Sequence, residues 1–174
     1  MSGASLVRHP RSAIAESAIA CAATKLGFGV LKPLAEGERY DLVLDLRPAL
    51  VRVQCKWAVR RGQVVEVRTG TNRRGPEGFI RTTYAQGEID AIAGYCEELD
   101  RCYLLPIEMA AGRSAFYLRL APSKNNQRIG INWASDHELG AIAQLGERSA
   151  GSRKVVGSSP TSSTEQPPIR AALF

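Results

Sequence analysis

The stretch YDLVLDLRPALVRVQCKW, residues 40–57, consists of two short apolar segments joined at Pro48. This pattern predicts two β-strands that pair across a tight turn. Asp41 opens the first strand, and Gln54 and Lys56 lie one residue apart in the second. Burying polar groups costs free energy unless they pair, bind a metal or lie in a cleft. The strand pair therefore predicts a polar site.

The relative positions of these side chains follow from strand geometry. Alternation places Gln54 and Lys56 on one face and Cys55 on the other, and pairing brings Asp41 near Lys56. Glu16 shares a face of a predicted helix with apolar residues three, four and seven positions on, so it faces the sheet. Its partner would be Lys56 or a metal held by Asp41. A salt bridge from Lys56 to Asp41 or Glu16 within an inert sheet is the alternative.

The rest of the chain alternates helical and strand patterns. The predicted elements are a helix over residues 11–26, strands over 28–32, 40–46, 50–58 and 63–69, a helix over 87–99, strands over 102–107 and 115–121, and a closing helix over 132–143. This order predicts an α/β or α+β fold, a sheet flanked by helices.

The two ends of the chain have a different character. Residues 1–10 are interpreted as a flexible N-terminus, and residues 144–174, rich in Ser, Pro and Gly, as a disordered tail. The tail also resembles the conceptual translation of a tRNA gene, with residues 142–148 similar to the D-arm consensus and residues 157–160 to the T-arm consensus. One domain over residues 11–143 is therefore expected.

Composition limits the class of protein. The 174 residues are 44% hydrophobic, and no apolar run approaches the roughly 20 residues that span a bilayer. The opening residues lack the apolar core of a secretory signal, so a cytoplasmic location is expected. No CxxC pair occurs, which disfavours structural zinc and favours free thiols in a reducing compartment. The four cysteines are Cys21, Cys55, Cys96 and Cys102.

The net charge of +6 permits nucleic-acid binding, and the distribution of arginines is more informative. Residues 59–81 are arginine-rich and broken by glycines, which predicts a mobile loop that either clamps phosphates or is merely solvated. Its arginines are Arg60, Arg61, Arg68, Arg73, Arg74 and Arg81.

Two further groups of polar residues each allow two interpretations. The turn Asn125, Asn126, Gln127 and Arg128 is rich in donors and fits either DNA contact or an ordinary polar turn. Glu88 and Asp90 stand at the start of the predicted helix over 87–99, where they either cap it or join the site.

The order of Glu16, Asp41 and the triplet from Gln54 to Lys56, across helix, strand and strand, resembles the PD-(D/E)XK nuclease superfamily. It is most similar to the branch of group I intron-encoded homing endonucleases, in which glutamine replaces the acid before XK. The resemblance extends over about residues 11–140. It implies a restriction-endonuclease-like mixed β-sheet flanked by helices, and an endonuclease that uses Mg²⁺ or Mn²⁺ to cut double-stranded DNA.

The resemblance also implies roles. Asp41 would be the central metal ligand, and Glu16 a second ligand or the holder of a water. The amide oxygen of Gln54 or the backbone carbonyl of Cys55 would complete the oxygen ligands that Mg²⁺ requires. Lys56 would orient the attacking water and stabilise the developing charge.

The sequence departs from the superfamily pattern at two positions. Tyr40 precedes Asp41 where the motif has proline, and neutral Gln54 removes one charge from the metal site. A homodimer or homotetramer is expected because cutting two strands needs two sites. The rival interpretations are an inactive nucleic-acid-binding module with the same fold and a structural subunit without a nucleic-acid role.

Overall fold

The computed structural model describes residues 11–75, 78–85, 87–122 and 129–142, with the backbone alone at 71–75 and 79–81. The expected N-terminus and tail, and the turn with Asn125, Asn126 and Gln127, lie outside the described residues. The elements are helix α1 (Arg11–Lys25), strands β1 (Gly29–Leu31), β2 (Leu42–Asp45), β3 (Leu50–Arg61), β4 (Val64–Arg68), β5 (Gly70–Gly75), β6 (Gly78–Thr83) and β7 (Ala91–Cys96), a 3₁₀ helix (Glu97–Leu99), β8 (Arg101–Pro106), α2 (Ile107–Ala110), β9 (Ala115–Arg119) and α3 (Ala134–His137).

Helix α1 forms because small and apolar residues recur every fourth position. Ala15, Ile19 and Ala23 are fully buried against the sheet. Gly27, with φ of +80°, ends the helix in the left-handed conformation that glycine adopts without strain. The helix predicted over residues 11–26 is confirmed.

Seven strands form one mixed sheet, which confirms the predicted fold. The strands β1, β2, β3, β4 and β9 follow one another as antiparallel neighbours. Strand β7 pairs in parallel with β3, and β8 pairs antiparallel with β7. Strand β3 is 12 residues long and is the one that contacts β2, β4 and β7. It therefore organises the sheet.

The helix predicted over residues 87–99 is wrong. Residues 91–96 form strand β7, and only Glu97–Leu99 are helical, as a single 3₁₀ turn. Five of the six residues of β7 are buried, because a parallel strand is covered on both faces. Such a strand lacks the apolar and polar alternation of a half-exposed one, and its short apolar run resembles a buried helix.

The arginine-rich loop predicted over residues 59–81 is also wrong. This stretch contains the end of β3, all of β4, and a hairpin in which β5 and β6 pair from Gly70 and Thr83 to Gly75 and Gly78. Gly62 and Gly78, with φ of +59° and +127°, adopt conformations that a side chain disfavours, and Gly62 forms the turn between β3 and β4.

The closing helix predicted over residues 132–143 is interrupted. Residues 134–137 form α3 and residues 139–142 are helical again, while Glu138 between them is extended and bridges to Tyr103. The sheet contact overrides the local helical preference. Within the described ranges, no helix is long and apolar enough to cross a bilayer.

The sheet separates two buried clusters. One contains Ile19 and Ala23 of α1 with Val51 and Val53 of β3, and the other contains Tyr84 with residues of β4, β7, β8 and β9. The two faces of β3 therefore meet different surroundings, which determines where its polar side chains lie.

Strand β7 packs tightly against Val67 of β4 at Gly94. A Cβ atom at this position would lie 3.0 and 3.1 Å from the two methyl groups of Val67. We therefore expect Gly94→Ala to lower the free energy of unfolding by about 1–3 kcal/mol, the usual cost of overpacking. Urea denaturation followed by circular dichroism measures the change. Gly140→Ala is the control, because its nearest contact is Leu26 at 3.9 Å. Equal stability of the two variants would contradict this packing.

Candidate active site

The candidate site lies at a gap in the edge of β3. Strand β2 pairs with residues 50–53 of β3, and β4 pairs with residues 58–61 on the same edge. Among the described strands, none pairs with residues 54–57 on that edge, while β7 covers the opposite one. Because backbone groups alternate between the two edges of a strand, the N–H and C=O of Cys55 face this gap, while those of Gln54 and Lys56 face β7.

Asp41 occupies this gap. Its backbone N–H donates to the carbonyl of Val53 at 2.9 Å. Its Oδ2 accepts hydrogen bonds from the backbone N–H of Cys55 at 2.7 Å and from Nε2 of Gln54. The N–H and C=O of one strand residue point to the same edge, so the carbonyl of Cys55 also faces Asp41.

A chain of hydrogen bonds continues from Asp41 to Lys56. Nζ of Lys56 donates to the hydroxyl of Tyr84 at 3.0 Å, and that hydroxyl donates to Oε1 of Gln54 at 2.9 Å. An ammonium group only donates, so the tyrosine hydroxyl accepts from it and keeps its own proton for Oε1 of Gln54. The amide nitrogen of Gln54 is then the atom that faces Asp41.

Glu16 approaches the site from α1. Its side chain is 26% exposed and forms an ion pair with Lys32, the residue after β1. None of the ion pairs among the described residues joins Lys56 to Asp41 or Glu16. The inert salt bridge that the alternative interpretation requires is therefore not formed.

Burial makes the charged forms of Asp41 and Lys56 less favourable than they would be in water. Burial raises the pKa of Asp41, and the nearby charge of Glu16 raises it further, although the hydrogen bond from Cys55 opposes both. Burial lowers the pKa of Lys56, and it raises that of Tyr84 to about 12. Charges kept at such a cost are typical of functional sites.

The donor set fits a hard divalent cation. Asp41 and Glu16 supply carboxylates, and the carbonyl of Cys55 supplies a third oxygen. In the part of the chain that the structure describes, no three His, Cys, Asp or Glu side chains form a metal-binding group. A cation here would need the Cys55 carbonyl or Gln54 amide, and it would offset the buried charge of Asp41.

Two residues that sequence reasoning missed support the site. Neither Tyr84 nor Arg39 belongs to the motif from which the site was predicted. The Arg39 guanidinium lies 4.7 Å from the centre of the Tyr84 ring and donates to Glu88 at 3.1 Å. Glu88 also accepts from the N–H of Ala85 at 2.9 Å. The only sequence signal was proximity, because Arg39 lies two residues before Asp41 and Tyr84 lies four residues before Glu88.

Glu88 and Asp90 do not cap a helix, which corrects that interpretation. Asp90 instead pairs with Arg52 of β3, accepting from its backbone N–H at 2.8 Å, from Nε at 3.0 Å and from Nη2 at 2.8 Å. Together, Glu88 and Asp90 anchor the segment between Tyr84 and β7 to the strands that carry the site.

The pair of Asp90 and Arg52 predicts a pH-dependent stability. Hydrogen bonding to Arg52 lowers the pKa of Asp90, so its contribution is present above the unfolded value near 3.9 and is lost as the pH falls through the folded pKa. Asp90→Asn should lower the free energy of unfolding by about 1 kcal/mol at pH 7, a figure reduced for solvent exposure. Urea denaturation at pH 7 and at pH 3 measures it, with exposed Asp136→Asn as the control. A loss that is as large at pH 3 as at pH 7 would contradict the ion pair.

The proposed DNA-contacting arginines divide into two groups. Arg61 and Arg68 both pair with Glu66, and Arg60 donates to the carbonyl of Gly62 at 2.9 Å. Three others, Arg73, Arg74 and Arg81, lie in the β5–β6 hairpin, with Arg73 opposite Ile80, Arg74 opposite Phe79, and Arg81 opposite Asn72.

Comparison with known families agrees with this architecture. The sequence profile of the PD-(D/E)XK endonuclease family matches residues 8–140, and the chain belongs to that family. The fold is similar to a solved structure described as a bacterial homing endonuclease, I-Ssp6803I, with a TM-score of 0.62 and 25% identity. The match covers 83% of this chain and 97% of that one. No protein of curated function matches in sequence.

Proposed function

We propose that this nuclease is a divalent-metal-dependent endonuclease that hydrolyses phosphodiester bonds in double-stranded DNA. Its active site would consist of Glu16, Asp41, Gln54 and Lys56. The observation that carries the proposal is the gap in β3, where Asp41 accepts from the backbone N–H of Cys55 and is linked to Lys56 through Gln54 and Tyr84, in a chain of this family.

The residues of the site would have two different roles, metal binding and orientation of the attacking water. Glu16, Asp41 and an oxygen of Gln54 or Cys55 would hold Mg²⁺ or Mn²⁺, as expected for hard oxygen ligands. Such a cation polarises the scissile phosphate and makes water more acidic. Lys56, held at a fixed position by Tyr84, would orient the attacking water and stabilise the negative charge that develops on the phosphate.

The rest of the chain suggests how DNA is held. Guanidinium groups match phosphate oxygens, so the arginines of the β5–β6 hairpin are suited to grip the backbone, and Asn125, Asn126 and Gln127 would add donors. We infer a single domain over residues 11–143, a cytoplasmic location, and a homodimer or homotetramer that cuts both strands. Similarity to I-Ssp6803I supports a homing-type enzyme. The sequence resemblance to the group I intron-encoded branch is the basis for proposing an intron-encoded enzyme.

Neutral Gln54 keeps one rival function open, an inactive DNA-binding module, because the site has one charge fewer than an acidic one. Supercoiled plasmid incubated with the protein separates the two functions. The endonuclease predicts nicked and linear DNA with Mg²⁺ or Mn²⁺, and none with EDTA. Salt-dependent DNA binding without cleavage in any of these metals would instead favour the module. A broad set of plasmid sequences, or a library of random inserts, covers the unknown target.

A further inference from the structure

Tyr84 links the two groups on which the proposed chemistry depends, although it belongs to no motif. It is 3% exposed, and its hydroxyl bonds Lys56 on one side and Gln54 on the other. A buried hydroxyl with two polar partners is unlike an ordinary core aromatic, because each bond restricts a flexible side chain.

The neutral amide of Gln54 explains why such a restriction matters. A carboxylate would offer two equivalent oxygens, so a half-turn of its end group would change nothing. An amide offers one oxygen and one nitrogen, and only one of its two orientations places the nitrogen against Asp41. The Tyr84 hydroxyl accepts from Lys56 and donates its single proton to Oε1 of Gln54, which favours the orientation with the amide oxygen toward itself and the nitrogen toward Asp41.

We propose that Tyr84 is a positioning residue of the active site, which fixes Gln54 as a donor to Asp41 and holds Lys56 in place. This inference rests on the proposed function and refines it. With Oδ2 of Asp41 bonded to Cys55 and Gln54, the other oxygen of Asp41 and the Cys55 carbonyl are left to join Glu16 as cation ligands. Gln54 then orients the ligand Asp41 and is not itself a ligand.

The surroundings of Tyr84 keep its ring in place independently of its hydroxyl. The ring packs in a buried cluster, and Arg39 lies over it while pairing with Glu88. Tyr84→Phe should therefore remove the two hydrogen bonds and leave the packing intact. Tyr95→Phe is a matched control, since its hydroxyl bonds Asp100 and touches no residue of the site.

The first test follows the side-chain amide of Gln54 directly. In the metal-free full-length protein labelled with ¹⁵N-glutamine, the Gln54 amide protons should exchange with solvent more slowly than those of exposed Gln63. Loss of one hydrogen bond changes the equilibrium between the bonded and the open amide about tenfold. Tyr84→Phe should therefore raise the exchange rate of the Gln54 amide protons about tenfold, and Tyr95→Phe should leave that rate unchanged. An unchanged rate in Tyr84→Phe would overturn the proposal.

The second test is a double-mutant cycle measured by plasmid cleavage. Tyr84→Phe should lower kcat about 10–100-fold with little change in KM, as expected when a partner of a site residue is lost. In the Gln54→Glu background the loss should be smaller, because a carboxylate needs no selected orientation and only the effect through Lys56 remains. An equal loss in both backgrounds would overturn the proposal. If the wild type cleaves no DNA, the proposed function fails, while the amide exchange still decides the role of Tyr84.

Discussion

Replacing Asp41 by asparagine is expected to lower the single-turnover rate of DNA cleavage by about 10³-fold, the upper range for the loss of one electrostatic group. Asparagine keeps the shape of the side chain and can still accept from the Cys55 N–H and from Gln54. It removes the negative charge that a divalent cation requires. Nicking of supercoiled plasmid at saturating protein with Mg²⁺ measures the rate.

The same substitution should not destabilise the fold. Burial raises the pKa of Asp41, which means that the folded protein holds its charge at a cost. Thermal unfolding of Asp41→Asn at pH 7 is therefore expected at the wild-type temperature or above it. Asp45→Asn, at the far end of β2, the strand that begins directly after Asp41, is the matched control and should keep full activity. Loss of activity in both variants to the same degree would remove Asp41 from its proposed role.

Replacing Lys56 by methionine is expected to have the second-largest effect, a loss of about 10²–10³-fold in the cleavage rate. Methionine fills the volume of the lysine stem without its charge, and burial lowers the pKa of Lys56, so the folded state should tolerate the change. DNA affinity measured with Ca²⁺ should remain within about threefold, because one buried ammonium adds little to a surface that binds many phosphates.

Exposed Lys25 at the end of α1 supplies the control for this experiment. Lys25→Met removes the same charge from the chain and should cleave at the wild-type rate. If Lys56→Met cleaved as fast as Lys25→Met, Lys56 would have no part in the reaction. If it lost DNA affinity in proportion to its rate, Lys56 would contribute binding alone.

Strand alternation predicted much of the site from sequence. The burial of Val51, Val53 and Cys55 on one face of β3 leaves Gln54 and Lys56 on the other, as expected from a period of two. Pairing across the turn at Pro48 was expected to bring Asp41 near Lys56, and the structure places Asp41 against Gln54 and Cys55, with Lys56 linked to it through Gln54 and Tyr84. The contacts of Asp41 with Gln54 and Cys55 depend on residues close in sequence, so a local pattern was sufficient.

The contacts that sequence did not predict are long-range. Tyr84 reaches Lys56 across 28 positions of the chain, and Arg39 reaches Glu88 across 49. Strand β7 was mistaken for a helix because its residues are buried on both faces, and the error placed Glu88 and Asp90 at a helix start that does not exist. No local periodicity carries information about which distant strand a buried one will join.

The central claim is that a cation binds in the gap of β3, and metal-directed cleavage of the protein's own backbone tests it most directly. Fe²⁺ in place of Mg²⁺, with ascorbate and oxygen, generates radicals that cut the chain beside the bound metal, and mass spectrometry locates the cuts. We expect cuts close to Asp41 and Cys55 in the wild type, competed by excess Mg²⁺ and absent in Asp41→Asn. Cuts confined to other strands, or an unchanged pattern in Asp41→Asn, would contradict a metal site at this position.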